Sequence, residues 1–535
     1  MASVNRSFRI LTVAPFCHIG EKNTSLLQSV SIDKFSIGKA FNCLKPTFYK
    51  NISSSFLHDN ANVKIEFTTI SDFRPKGLLK RSIFLSSMMN ILEFLQTDKI
   101  RDKSIDEQFS LIQKKWPFLK LKRHVEPEAK QRVPMSQESS LVDQILKVVS
   151  FHENNEHVRT GTSKNDGPLV HQIRQIITDT LKMIYDDPGF NRLEECWLGL
   201  WFLIKAGKWN NGLIIDVLPS SEQDVASTLK TYFDQCDSCA LPDLVLVDSP
   251  MASDPYSLEQ LTNLSEAGDK NLVLVIVSLK PEFFNLDSWK FLKRLPYLPH
   301  FMETISYAKW QKLRKRSSAR WLAVLCNPFI LREPYEYGPL GFREEKSLWG
   351  DPVWAFGAMC GKSIELFGWP FGFHRHGVVY LEDLPIKEID GKYLPTKVHF
   401  SDERVEQMEK CGIVPLTSLY NHDSLFFPVD RCVSGHKISF QMMISQVSHF
   451  LINLQIQLEK EEQIQIEDLE ELIANKLNIF LNREGQPFHF HIFTNFEKIS
   501  KKAIKVFVKI KLPVELFDSF EPIILDFVIE PGTSY

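Results

Sequence analysis

The sequence predicts an α/β protein of several domains, with mixed, mostly parallel sheets flanked by helices and a pair of separate strands near its C-terminal end. Three observations carry this. Short runs that are apolar on consecutive positions, 213–218, 244–247 and 272–277, alternate with helical segments, the pattern of strands buried on both faces of a mostly parallel sheet. The closing strands instead alternate strictly. Ile504, Val506, Val508, Ile510 and Leu512 fall on one face with Lys505, Lys509 and Lys511 on the other, and 523–529 follows as a second strand. Finally, 535 residues are enough for two to four well-buried cores.

The remaining elements follow in order. Residues 8–13 alternate as a strand, and Val63, Ile65 and Phe67 share one face of another. The segment Ser71-Asp72-Phe73-Arg74-Pro75 ends that strand before a helix over 82–95. Residues 118–136 are charged and contain Pro127 and Pro134, the composition of an exposed linker. Within 140–149, apolar residues at 141, 142, 145, 146 and 149 make one helical face, and 151–167 is again polar. An amphipathic helix runs from Leu169 to about Tyr185 and breaks at Asp187-Pro188-Gly189, and another starts near Leu193. Residues 353–366 form one apolar helix, and long helices are expected over 439–460 and 466–481. The division this suggests is a small α/β module over 1–117, a linker over 118–168 that carries the helix 140–149, and a larger α/β body over 169–535.

Hydrophobic content of 44% and charged content of 24% are those of a water-soluble globular protein. A net charge of −3 gives no general attraction to nucleic acid or to an anionic membrane. No segment has the order of a signal peptide, and no apolar run approaches the ~20 residues that span a bilayer. Nine scattered cysteines suit free thiols in a reducing compartment, so a cytoplasmic location is expected, without membrane insertion.

Several short motifs invite chemical readings. Gly357-Ala358-Met359-Cys360-Gly361-Lys362-Ser363 resembles a phosphate-binding loop, but has three residues between its glycines where that loop needs four. It also lies inside the predicted helix 353–366, whose interior amides are already bonded. Cys236-Asp237-Ser238-Cys239 has redox or zinc spacing but no second ligand pair, and a proline follows at once. His374 with His376, and His489 with His491, could each share a strand face, yet no carboxylate or cysteine stands beside them in sequence. Lys312, Arg314, Lys315, Arg316 and Arg320 make a basic cluster, read as a solvated surface or as a surface facing acidic groups on a neighbour. No catalytic, cofactor or metal residues are expected. The alternative of another class is a nucleotide-dependent α/β enzyme using the near-Walker segment or the cysteine pair.

Residues 300–385 carry a dense order of rare landmarks: Tyr307-Ala308-Lys309-Trp310, Ala319-Arg320-Trp321-Leu322, Phe342-Arg343-Glu344-Glu345, Gly368-Trp369-Pro370-Phe371 and Glu382-Asp383-Leu384-Pro385. Before them stand Leu193-Glu194, Trp197 and Gly199-Leu200. Asp351-Pro352 and Gly377-Val378-Val379 lie among them, and Gly412-Ile413-Val414-Pro415-Leu416 and Asp423 follow. This order resembles the large sheath subunit of bacterial type VI secretion systems, from near Leu141 to the last strands. The first hundred residues resemble the small sheath subunit: an apolar strand, Ser31-Ile32-Asp33-Lys34-Phe35, a helix leading to Pro46, then a strand and Asp72-Phe73-Arg74-Pro75.

The resemblance implies both sheath partners in one chain and a mechanical function without catalysis. Copies would assemble helically around an inner tube of stacked ring proteins, on a baseplate, and contract to propel the tube. It implies pairing between protomers through the C-terminal strands, at Ile504, Val506, Val508, Ile510, Ile523, Leu525 and Phe527. It also implies that a Clp-type AAA+ ATPase grips the helix near residue 145 for disassembly, with Leu141, Val142, Ile145 and Leu146 as apolar anchors. Small sheath subunits carry a further strand ahead of the position of Phe8, which this sequence begins too late to supply. That departure suits an accessory baseplate or terminal-ring component of the same machine.

Overall fold

The computed structural model describes residues 8–17, 28–53, 56, 58, 60–121, 167–209, 212–237, 240–372, 378–460, 466–482, 489–499, 504–513 and 521–529. In chain order the main elements are β1 (Phe8–Ala14), β2 (Val30–Ile32), α1 (Ile37–Leu44), β3 (Thr47–Ile52), β4 (Ala61–Glu66), α2 (Pro75–Arg81), α3 (Ile83–Gln96), α4 (Pro168–Tyr185) and α5 (Pro188–Ala206). There follow β5 (Leu213–Pro219), α6 (Val225–Gln235), β6 (Leu244–Met251), α7 (Pro255–Asn271), β7 (Leu274–Leu279), β8 (Leu322–Cys326), α8 (Pro352–Phe367) and β9 (Ile413–Pro415). The chain continues with α9 (Ile438–Lys460), α10 (Ile466–Leu481), β10 (His491–Lys498), β11 (Ile504–Lys511) and β12 (Ile523–Ile529). Two compact units divide it: residues 1–45, 192–333 and 348–535 form one, residues 46–191 and 334–347 the other.

The first unit is built on a seven-stranded sheet in the order β9-β8-β7-β6-β1-β5-β2. Every pair is parallel except β2 with β5. β1 lies between β5 and β6, with Phe8 opposite Leu213 and Ile10 opposite Leu244. Its run Ile10–Val13 is buried on both faces, although the sequence alternates as a half-exposed strand would. One face of the sheet (Leu11, Val13, Val245, Val247, Val275, Val277) packs on Leu229 and Phe233 of α6 and Leu261 and Leu264 of α7. α8 lies against β6, β7 and β8. Both α7 and α8 start at an aspartate followed by proline. Asp254 accepts the N–H groups of Tyr256 and Ser257, Asp351 accepts that of Val353, and proline fits the first helical position because it has no N–H to lose.

A second core in the same unit joins α9 and α10 to the antiparallel sheet β10-β11-β12. Met443, Val447, Leu451, Leu454 and Leu458 of α9 recur at helical spacing and meet Ile504, Val506, Val508 and Ile510 of β11 in this cluster. The expected pairing set is corrected here. β11 is the middle strand, paired along its length with β10 on one side and β12 on the other, so its backbone is not open to another chain. Among the described residues, only β10, absent from the sequence reading, and β12, which carries Ile523, Leu525 and Phe527, have an edge without a strand partner in this sheet.

The second unit packs the β3–β4 hairpin with α2, α3 and α4 around Phe48, Phe67, Phe73, Tyr185 and Phe190. Asp72 ties its corner by accepting from Thr68 N and Thr69 N at 2.8 and 3.0 Å, with Arg81 3.2 Å away. A Cβ on Gly77 would lie 2.5 Å from Asp72 Cα, so the turn after Phe73-Arg74-Pro75 needs glycine there. Residues 334–347 join this unit through Tyr335 and Phe342, both packed on Tyr185. The units therefore cut across the expected segments 1–117 and 169–535. The physical reason is that β1 hydrogen-bonds into the sheet formed by β5 and β6 rather than into a sheet of its own neighbours.

Candidate functional site

In strand sequence the six parallel strands β1, β5, β6, β7, β8 and β9 take the spatial order 2-1-3-4-5-6, and the direction of winding reverses between β1 and β6. Open sheets of this kind hold ligands in the crevice at the C-terminal ends of those two strands. Here aromatic rings fill that position. Phe16, two residues after β1, packs edge-on against Trp197 of α5 at 5.4 Å and Trp354 of α8 at 6.2 Å, and Phe41 of α1 stacks on Trp197 at 3.8 Å. The Trp197 indole N–H donates to Phe16 O at 2.9 Å. Phe16, Trp197 and Trp354 have no exposed surface. A Cβ on Gly199 would stand 2.3 Å from Trp354 Nε1, which explains the Trp197, Gly199 pair of the landmark pattern.

Beside the rings lies a charged network that the sequence reading missed, since its members are far apart in the chain. Arg192 donates to Glu195 at 2.6 Å, Asp248 at 2.8 Å and Glu222 at 2.8 Å. The second oxygen of Asp248 accepts from Trp354 Nε1 at 3.0 Å. Glu195 accepts the Asp351 backbone N–H at 2.8 Å, and Asp351 also accepts from Ser278. Burial, with the Asp248 carboxylate next in weight, pushes Glu195 up to about 7. Burial and the same neighbours hold Asp351 well above the usual carboxylate range. Next to it, Arg332 grips Glu194 with two hydrogen bonds of 2.8 and 2.7 Å, and Glu194 is wholly buried. Asp351 caps α8, while Asp248 and Glu195 tie α5 to β6 and to the start of α8. Two surface grooves lie elsewhere: one of about 380 Å³ between α6 and α7, including Lys230, Phe233 and Ala267, and one of about 470 Å³ beside Lys50, Asp179 and Lys182.

The near-Walker segment is interior helix, within α8. Its glycines serve packing: a Cβ on Gly357 would meet Leu203 and Leu246 at 2.6 Å, and one on Gly361 would meet Gly207 O at 2.5 Å. Lys362 donates to Tyr380 O at 2.8 Å and Ser363 to Trp369 O at 3.1 Å, so neither the amides nor these side chains form a phosphate cradle. Cys236 follows α6, partly exposed, while Cys239 lies outside the described residues, as do His374 and His376. His489 and His491 lie with ring centres 5.4 Å apart, and no group of three metal-ligating side chains occurs among the described residues. No helix among them is long and apolar enough to cross a membrane.

The basic cluster is largely spoken for inside the chain. Arg316 pairs with Glu266, Arg320 with Asp269 at 3.5 Å, and Arg314 donates to Val433 O and Lys410 O. The expected ATPase-binding anchors Leu141, Val142, Ile145 and Leu146 lie outside the described residues. Exposed main chain is found at the sheet edges. The β2 edge is blunted by Lys39, whose ammonium donates to Ser31 O at 3.0 Å. On β12, Gln455 donates to Val528 O at 2.8 Å, while Ile524 remains 66% exposed and Phe493 of β10 51% exposed.

The landmark residues prove to be parts of the framework. Tyr307 donates to Phe283 O at 2.8 Å, and Trp310 packs edge-on against Phe283. Gly412 sits at φ +74°, where a Cβ would stand only 2.5 Å from Val433 O. Residues 242–433 match the family described as EvpB/VC_A0108, tail sheath N-terminal domain. The type VI secretion system sheath protein TssC1 of Pseudomonas aeruginosa is 25% identical over 323 residues, 51% of this chain and 63% of that protein. Among solved structures, the helical sheath of the anti-feeding prophage in the contracted state covers 63% of this chain and 79% of its own, with a TM-score of 0.33 and 12% identity. The baseplate of the same particle gives 0.35 at 13% identity, covering 63% of this chain and 77% of its own. The contracted PVC sheath complex of an extracellular contractile injection system gives 0.34 at 10% identity, with the same coverage. The chain is thus similar over about half its length to a type VI secretion sheath protein, of which it spans less than two thirds, and its residues 242–433 match the tail sheath N-terminal domain family.

Proposed function

We propose that this protein is a structural subunit of a type VI secretion contractile sheath, working in the cytoplasm. The observation that carries the reading is the match over 242–433, in which the matched landmarks are core and turn residues of the central fold. Copies assemble helically around an inner tube of ring proteins, seated on a baseplate. The two open strand edges, β10 and β12, supply backbone for pairing with neighbouring copies. Contraction draws on the difference in interface energy between two packings of the same subunit, with no chemistry by the chain itself. The N-terminal residues take the place of the small sheath subunit, which fixes the ratio of the two partners at one to one. A Clp-type AAA+ ATPase disassembles the contracted form by gripping Leu141, Val142, Ile145 and Leu146.

Electron microscopy of the purified full chain tests the reading. Long hollow helical tubes are the expected result, and discrete rings would assign it to a terminal or baseplate position instead. Particles that remain monomeric at every concentration and salt, with no tubules in cell lysates, would overturn both. Ile145→Asp should abolish binding to the ATPase and leave the melting temperature unchanged.

A further inference from the structure

The C-terminal sheet has a second face, opposite the one that joins the core with α9 and α10. The registers put His491 beside Lys511 on it, Phe493 beside Lys509 and Ile524, and Phe507 beside Asn495 and Asp526. Phe493 and Ile524 stand exposed among them. The lysines of this face are not equally placed. Lys505 has Asp526 at 2.8 Å and Glu497 opposite it on β10. Lys509 and Lys511 have no carboxylate partner among the described residues, and the Lys511 ammonium lies 5.3 Å from the centre of the Phe493 ring. One end of the face is therefore neutral, while the other sets two unpaired ammonium groups around exposed apolar side chains. Apolar surface rimmed by polar groups marks an interaction site, and the charge here calls for an acidic partner.

The chain itself carries the complement. Residues 459–471 hold seven carboxylates and one lysine, Lys460. Those at the start of α10 suit a helix N-terminus, where negative charge is favoured. Glu461 and Glu462 have no such explanation. They directly follow Lys460, the last residue of α9, and a helix C-terminus disfavours negative charge. Carboxylates kept where their own helix disfavours them are accounted for by positive groups elsewhere. The outer face of the same sheet is out of their reach. Leu458 before the pair and Leu469 after it are both buried in the core on the inner face, which holds the corner on that side. The outer face that this corner can meet belongs to another copy.

We propose that the outer face of the C-terminal sheet receives the acidic α9–α10 corner of a second copy, with Glu461 and Glu462 meeting Lys509 and Lys511. Ile464, between the two acidic runs, is the apolar side chain that covers Phe493 and Ile524. The proposal rests on the sheath reading in one respect, that copies of this chain associate. It names a contact that the open strand edges do not supply, because edge pairing widens a sheet and leaves its faces bare. Corner and face are different surfaces, so the contact is heterologous. It passes from copy to copy instead of closing as a two-fold dimer.

Charge reversal on purified full chains tests it, read by sedimentation velocity at low salt. Lys509→Glu/Lys511→Glu makes face and corner both acidic, and Glu461→Lys/Glu462→Lys makes both basic. Each variant alone should associate at least about tenfold more weakly than the unaltered chain. An equal mixture of the two should recover association, because each corner then finds a face of opposite sign on the other variant. A misfolded chain would not be rescued in this way. Salt at about 0.5 M should weaken the unaltered chain and the mixture alike. Either variant associating by itself as the unaltered chain does, or a mixture no better than its parts, would overturn the proposal. Short oligomers reproduced by the mixture, without tubes, would count against the sheath reading and leave the contact standing. Tubes formed equally by the unaltered chain and by both variants would keep the sheath and remove the contact.

Discussion

The central sheet and the C-terminal sheet use β-structure for opposite ends. In the first, the strands between β5 and β9 are largely buried on both faces, the crevice is plugged by Phe16, Trp197 and Trp354, and the outer edge at β2 is blunted by Lys39. In the second, three strands have one buried face, and their outer face carries Phe493, Ile524 and a Lys505–Asp526 pair at 2.8 Å. The difference teaches where stability and association reside. A parallel sheet buried on both faces holds the molecule together, whereas an antiparallel sheet with two edges that have no strand partner among the described residues offers backbone to a partner.

Substitutions can break or sharpen this contrast. The largest effect is expected from Glu194→Ala, which leaves the buried Arg332 guanidinium without its carboxylate and should cost about 3–5 kcal/mol in urea unfolding. A smaller value would mean that water reaches the pair. Gly361→Ala drives a methyl into Gly207 O and should cost about 1–3 kcal/mol, more than Gly357→Ala, whose Cβ meets only the ends of two leucines. The third is a dependence on pH. Glu195 binds its proton more tightly in the folded state, near 7, than at its usual 4.5. The native state therefore carries more protons across that window, and stability falls as pH rises from about 4.5 to 7. Glu195→Gln should flatten that part of the curve of melting temperature against pH. Smallest in stability is Ile524→Lys on the outer face of β12, expected within about 0.5 kcal/mol of the unaltered chain. On the sheath reading the same change shortens or abolishes tubes, because Ile524 lies on the exposed face of an edge strand assigned to pairing with a neighbour. Loss of stability without loss of tubes would reverse the roles assigned to the two sheets.

Much of the framework was legible because it is local. The apolar runs at 213–218, 244–247 and 272–277 became β5, β6 and β7, and the helices expected over 353–366, 439–460 and 466–481 lie within a residue of those ends. What escaped depends on distance along the chain. β10 is not apolar enough to announce itself: Phe493 stands exposed on its outer face between His491 and Asn495, and Thr494 lies between Ile492 and Phe496 on the inner one, so hydrophobic period 2 is weak. The place of β1 is set by partners more than two hundred residues away, which no window can see. Arg192, Asp248 and Asp351 meet only through the same folding. Asp254 and Asp351, by contrast, were readable as helix starts from the proline that follows each.

The position of β1 reaches into biosynthesis. A ribosome delivers Phe8–Ala14 well ahead of its hydrogen-bonding neighbours, which emerge around Leu213 and Leu244, some two hundred residues later. Until then the strand must wait with its apolar side chains uncovered, a delay that favours slow folding and calls for chaperone protection. A gene split between residues 121 and 167 would give two polypeptides unable to complete the sheet separately, so they would have to mature as an obligate pair.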